Sequence, residues 1–276
     1  MTPPPPPPPP PSAAAPSAAG TPDATPAGEP ALALRHVDAG YGPFKAVFDV
    51  SFAVARGSAT ALIGPNGAGK TTVARVATGL VEPTSGHVAV GGTDIVGRPA
   101  FEVARLGVAH APEGRSVFAS LTVEENLVLG FRQQLGKDGV PAALDEAYHL
   151  FPRLGERRTQ LAGSLSGGEQ RMLSLARLLV RPPAVLVADE LSLGLAPIVV
   201  DEVYANLASL KAKGVALLVI EQHVEHALEL ADQVVALDRG RVAYCGPPLS
   251  VAELAPYLLT QLATDDAADH PTTALP

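Results

Sequence analysis

The sequence predicts an α/β fold built on a mostly parallel central sheet, and three observations predict it. Residues 60–63, 185–188 and 215–220 are short, continuous apolar runs, the signature of strands covered on both faces. Helical spacing separates them, over 70–79 and about 167–180 and 198–213. The first run ends in a glycine-rich loop at the start of a helical pattern, and strands alternating with helices imply a parallel sheet.

The remaining elements follow along the chain. Residues 3–11 are an unbroken proline run followed by Ala, Ser, Gly and Thr. Such a run lacks backbone donors, favours polyproline II and cannot nucleate a core, so 1–30 is expected to be a disordered tail; a ligand for a proline-recognising domain is the other reading. Residues 47–54 alternate apolar and polar and read as a half-buried strand. No internal repeat or linker interrupts 31 to about 262, which reads as one folding unit, and 263–276 is expected to be a frayed polar tail.

Composition bounds what the chain does. With 276 residues, 47% of them apolar and 17% charged, it can bury a sizeable core. A net charge of -8 argues against a sequence-independent grip on nucleic acid, which needs a basic surface to displace counterions. The single cysteine, Cys245, has no Cys or His cluster around it and reads as an inert half-buried thiol. No apolar run approaches the roughly 18–20 residues that span a bilayer, and the N-terminus lacks the pattern of a signal peptide. The expectation is a soluble cytoplasmic protein that, if it works at a membrane, is held there by another subunit.

Three motifs carry chemistry. Gly64, Pro65, Asn66, Gly67, Ala68, Gly69, Lys70 and Thr71 spell GPNGAGKT, a full match to GxxxxGK[ST]. Glycines let backbone amides turn inward around phosphate oxygens, and the helix N-terminus adds a favourable field. Lys70 is placed to reach the β- and γ-phosphates and the Thr71 hydroxyl to ligate Mg²⁺. Residues 165–170 read LSGGEQ before a helix rich in Leu, Met and Ala; alone it is either a helix cap or a second anion cradle. Residues 185–190 read VLVADE, an apolar strand ending in two acids. Asp189 can hold Mg²⁺ through water, and Glu190 can accept a proton from, or orient, an attacking water.

In this order the three motifs resemble the ATP-binding-cassette (ABC) family over about residues 31–262. The resemblance implies a P-loop NTPase core of ABC-ATPase type, an N-terminal antiparallel β part and an α-helical subdomain at about 114–167. It also implies two cassettes face to face, each ATP held between one P-loop, here Gly64 through Thr72, and the partner's signature. Tyr41, in AGYG, matches the aromatic that stacks on adenine. Within the signature Leu165, Ser166, Gly167, Gly168, Glu169 and Gln170, residues 166–168 would contact the γ-phosphate held by the partner cassette. Residues 192–196, SLGLA, fall where the family's chain crosses the dimer interface.

Further stretches narrow the likeness: APEGRSVFASLTVEEN at 111–126, FPRLGERR at 151–158, LSLGLAP at 191–197 and IEQH at 220–223. They look like the shorter ATPase subunit of branched-chain amino-acid importers. That resemblance implies ATP and Mg²⁺ as cofactors and a heterodimer with a longer sister cassette. It further implies two permease subunits, an external solute-binding protein met only indirectly, and a seat on the cytoplasmic face of the plasma membrane. Val117, Phe118 and Leu121 are either contacts to the permease or subdomain core.

Three positions depart from the family pattern. Most cassettes carry Gln where this chain has Glu113, beside Mg²⁺ or the water; related urea and amide importers, the alternative reading, tend to as well. Gln222 aligns with the usual switch histidine and His223 falls one place later; Gln can donate to phosphate but carries no positive charge. Leu191 replaces the proline that usually follows the Asp-Glu pair, a change expected to loosen the loop carrying Glu190. Gln222 and Leu191 motivate a subunit that binds ATP without hydrolysing it, and a non-transport soluble ABC ATPase is the remaining alternative.

Overall fold

A computed structural model of the chain describes residues 28–112, 117–193, 195–221 and 224–258. The proline run, Glu113, Gln222, His223 and the 263–276 tail lie outside them. Among the described residues the chain forms two sheets. Strands β1 (Leu32–Tyr41), β2 (Phe44–Val54), β4 (Ser85–Val90) and β5 (Thr93–Asp94) make an antiparallel sheet in the order β2-β1-β4-β5. The second sheet has the order β10-β9-β3-β8-β7-β6. Its strands β3 (Ala59–Ile63), β6 (Val108–Ala111), β7 (Val185–Asp189), β8 (Ala216–Glu221) and β9 (Gln233–Asp238) run parallel, and β10 (Arg241–Gly246) is antiparallel at one edge.

The continuous apolar runs mark the strands buried on both faces, as expected. Because side chains alternate along a strand, β7 sends Leu186 and Ala188 into one core and Val185 and Val187 into the other. Strand β8 likewise divides Leu217 and Val219 from Leu218 and Ile220. One core lies under α5 (Gly167–Val180), α6 (Pro197–Ala212) and α7 (Val224–Leu230), and the other under α1 (Lys70–Ala77) and the antiparallel sheet. Helix α1 stops two residues short of the expected end, where Thr78 turns its hydroxyl back on the Ala74 carbonyl (2.9 Å) and Gly79 takes φ +69°.

Between β6 and β7 the chain is helical. Helix α2 (Ala100–Arg105) precedes β6, and α3 (Val123–Leu150) and α4 (Pro152–Glu156) follow it. Helix α3 consists of two stretches joined at Gly136, whose backbone (φ 71°, ψ -178°) leaves the helical region. Its start is set by a capping box: Thr122 Oγ1 accepts the Glu125 N–H and Glu125 accepts the Thr122 N–H (3.1 and 2.7 Å). One turn on, buried Asn126 accepts the Phe118 N–H (2.8 Å) and donates to the Phe118 carbonyl (3.0 Å). That fixes the Phe118 backbone while 52% of the residue stays exposed. Val117 packs against the core and Leu121 is half-buried.

Candidate functional site

The P-loop occupies the junction where β3 leaves the sheet and α1 begins. Two glycines are needed there for different reasons. A Cβ on Gly64 would sit 2.5 Å from the Leu237 carbonyl oxygen, so the loop passes closer to β9 than any side chain permits. Gly69 caps α1 at φ +100°, left-handed backbone that favours glycine. Neither a side-chain cap nor an acidic residue occupies the first turn of α1, which suits an anion at its amides.

Lys70 is 5% exposed, and its ammonium donates back to the carbonyls of Gly64 (2.8 Å) and Pro65 (3.1 Å). Burial holds its pKa below the ordinary lysine value, while the carboxylates of Glu190, Asp189 and Glu221 draw it back up. The lysine therefore shares a low-dielectric space with three acids. Strand parity explains one of them: Val185, Val187 and Asp189 alternate toward the face on which α1 packs. Asp189 is 2% exposed and Glu190 is 7% exposed.

Glu190 stands on unusual backbone, at φ +49°, a region that costs a non-glycine residue about 1–2 kcal/mol. Its N–H donates to the Ile220 carbonyl (2.9 Å), and its carbonyl accepts from Arg171 (3.3 Å) and from the Leu193 N–H (3.4 Å). Arg171 also donates to the Pro112 carbonyl (3.1 Å), one residue before Glu113. The neighbouring Leu191 is 1% exposed and sits in the core. The residue standing in the place of the proline is thus buried, and its packing opposes the loosening expected of the loop.

The signature divides by exposure. Ser166 and Gly167 are exposed, and Gly168 and Glu169 half-buried, while Leu165 and Gln170 are buried and Gln170 donates to the Ala162 carbonyl (2.8 Å). Ser166 caps α5 by accepting the Glu169 N–H (3.3 Å), and Glu169 accepts the Ser166 N–H (2.9 Å) and pairs with Arg157 (3.1 Å). Leu165, Glu169 and Gln170 build the turn; Ser166 and Gly167 face outward. At the end of β1, Tyr41 is 44% exposed, its hydroxyl accepting from Arg75 (3.0 Å), whose guanidinium lies 5.8 Å from the ring centroid.

A magnesium ion fits this donor set. Mg²⁺ takes oxygen ligands, usually one or two from protein with the rest from phosphate and water. The Thr71 hydroxyl and Asp189 carboxylate are of that kind, and among the described residues no cluster of three or more His, Cys, Asp or Glu forms a metal cage. Cys245 is half-buried, and burial pushes its thiol pKa up, as an inert thiol requires.

Sequence reading missed three residues that hold the site. Arg171 is the buried cation on the core-facing side of α5, Arg75 lies one turn into α1, and Glu221 continues the core-facing alternation of β8. A charged residue at a core-facing position was the signal in the first and last cases.

A P-loop whose lysine shares its space with a strand-end acid pair defines a nucleoside triphosphatase. The ABC transporter profile matches residues 47–192, and the chain belongs to the ABC transporter family. It is 42% identical over 213 residues to the high-affinity branched-chain amino acid transport ATP-binding protein BraG of Pseudomonas aeruginosa, covering 76% of this chain and 90% of that one. The probable branched-chain amino acid transport ATP-binding protein LivF of Archaeoglobus fulgidus matches at 37% over 76% and 89%. The lipopolysaccharide export system ATP-binding protein LptB of Haemophilus influenzae matches at 32% over 80% and 92%. A solved ATP-binding subunit of an ABC transporter superposes with TM-score 0.71 at 28% identity, over 82% of this chain and 92% of that one.

The chain is accordingly an ATP-binding subunit of a transporter, hydrolysing ATP to drive transport and working with membrane permease components. Among the described residues no helix is long and apolar enough to cross a membrane.

Proposed function

We propose that this chain powers import of branched-chain amino acids from the cytoplasmic face of the plasma membrane. It would do so as one half of a heterodimer with a longer sister cassette, on two permease subunits fed by a solute-binding protein. The observation that carries the solute is the identity to BraG, 42% against 32% for the lipopolysaccharide exporter. The stretches at 111–126, 151–158 and 191–197 support the same reading.

In the catalytic cycle, amides 64–72 cradle the phosphates and Lys70 exchanges the Gly64 and Pro65 carbonyls for phosphate oxygens. Tyr41, braced by Arg75, takes the adenine. Thr71, and Asp189 through water, would hold Mg²⁺, which would supply neutralising charge to the phosphates. Glu190 orients the attacking water or accepts its proton, and catalysis is otherwise positioning and charge stabilisation. Ser166, Gly167 and Gly168 meet the ATP of the sister cassette, whose closure moves the permease. Glu113, Gln222 and His223, outside the described residues, are assigned to the Mg²⁺ or water and to the γ-phosphate.

Uptake of labelled leucine, with urea and a short amide beside it, tests this in cells lacking the chain and in the same cells complemented with it. Leucine uptake restored on complementation is the expected result. Restoration of urea or amide uptake alone would keep the transporter and refute the solute. No change in any of the three would refute import of these solutes and favour an export role.

A further inference from the structure

Glu221 ends β8 where the alternation Leu217, Val219, Glu221 faces the core beneath α6. It is 2% exposed, a carboxylate at a position where the pattern expects an apolar side chain. A buried charge is costly unless hydrogen-bonded, and here Ser192 engages both oxygens, with the Tyr204 hydroxyl a further neighbour. Oε1 accepts the Ser192 N–H (3.1 Å) and Oε2 the Ser192 hydroxyl (2.8 Å). Burial pushes the Glu221 carboxyl above the usual range, the Ser192 bonds and the Tyr204 hydroxyl oppose the shift, and Glu190 adds to it. Burial and the Glu221 carboxylate push the Tyr204 hydroxyl upward as well.

Ser192 lies two residues beyond Glu190. The left-handed backbone at Glu190 (φ +49°) persists only where the surroundings hold it. Strand β8 holds it twice, through the Ile220 carbonyl on the Glu190 N–H (2.9 Å) and through Glu221 on Ser192. These are consecutive residues gripping the turn on either side of Leu191, and the next residue of the chain is Gln222.

We propose that Glu221 is a positioning residue for ATP hydrolysis, which by holding Ser192 to the end of β8 fixes the strained turn that presents Glu190. The proposal rests on the assignment of Glu190 to catalysis. Glu221 acts through Ser192 and touches no phosphate. Released from this grip, the turn relaxes and the Glu190 carboxylate moves, while the P-loop keeps its nucleotide. The loss therefore falls on kcat and leaves nucleotide affinity in place.

The test uses the full chain co-purified with the transporter subunits it assembles with, measuring turnover against ATP concentration, and affinity for a fluorescent trinitrophenyl-ATP probe. Glu221→Ala is expected to lower kcat at least about fivefold with probe affinity changed less than about threefold. Glu221→Gln, able to accept the Ser192 N–H and donate to its hydroxyl, is expected to stay within about threefold of wild type. Ser192→Ala removes the hydroxyl bond and keeps the N–H bond, so it should lower kcat less than Glu221→Ala does and add nothing to it. A smaller fall in Glu221→Ala, a matching loss of probe affinity, or additive losses would overturn the proposal. Should Glu221→Ala fail to fold by circular dichroism, wild-type kcat in Ser192→Ala would overturn it. Glu190→Gln is the control: full turnover there refutes the assignment of Glu190, whereas an inactive Glu190→Gln beside an active Glu221→Ala refutes the role of Glu221 alone.

Discussion

Leu191→Ala probes what holds the catalytic loop in place of the family's proline. Leu191 is 1% exposed and belongs to the core beneath α5 and α6. Removing a buried leucine side chain loses its transfer free energy and leaves a cavity, together about 2–5 kcal/mol. For a folded unit of this size that lowers the melting temperature by about 4–20 °C. The residue adjoins Glu190 at φ +49°, so relaxation around the cavity acts first on the carboxylate facing Lys70. Calorimetry of the full chain reads the stability, and turnover beside probe affinity reads the loop. The expected pattern is a lower melting temperature, reduced kcat and unchanged nucleotide affinity. Leu191→Met conserves volume and should cost less than about 1.5 kcal/mol. A shift of under about 2 °C in Leu191→Ala would refute the claim that packing pins this loop.

Other perturbations separate the parts of the site. Gly69→Ala puts a Cβ 2.7 Å from Val47 Cγ1 on left-handed backbone and should weaken ATP-probe affinity by at least about tenfold, about 1.4 kcal/mol, as titration of the full chain would show. Phe118→Ala removes an exposed ring from a backbone held by Asn126; solute uptake should fall while ATP turnover in detergent changes less than about twofold. Stripping divalent cations with EDTA should abolish turnover, and millimolar Mg²⁺ should restore it; turnover that survives EDTA would contradict the oxygen donor set of Thr71 and Asp189.

What was legible in the sequence and what was not divide along physical lines. Strands β3, β7 and β8 were readable because burial on both faces demands unbroken apolar text, and the P-loop because its chemistry leaves little freedom in residue type. The break of α3 at Gly136 was not readable, since one glycine in a helical pattern is as often tolerated as broken. The burial of Leu191 was not legible, because its neighbours in sequence suggest a turn whereas its packing partners lie on other elements. Glu221 was not legible because, in the IEQH stretch, a strand-end acid reads as a solvated residue. Extending the alternation of β8 by one residue places a carboxylate in the core, and only the structure supplies its partner, Ser192, 29 positions away in sequence. Arg171 was hidden similarly, since it donates to the backbone carbonyls of Pro112 and Glu190, which no sequence pattern marks.

Steady-state ATP turnover by the assembled transporter carrying Glu190→Gln tests the chemistry most directly. The substitution keeps the size and shape of the side chain, replaces one acceptor oxygen by an NH2 donor and removes its capacity to accept a proton. Turnover should fall by at least about tenfold with ATP still bound at wild-type affinity, because Lys70 and the P-loop amides are untouched. Undiminished turnover would contradict the assignment of Glu190 as the residue that activates water.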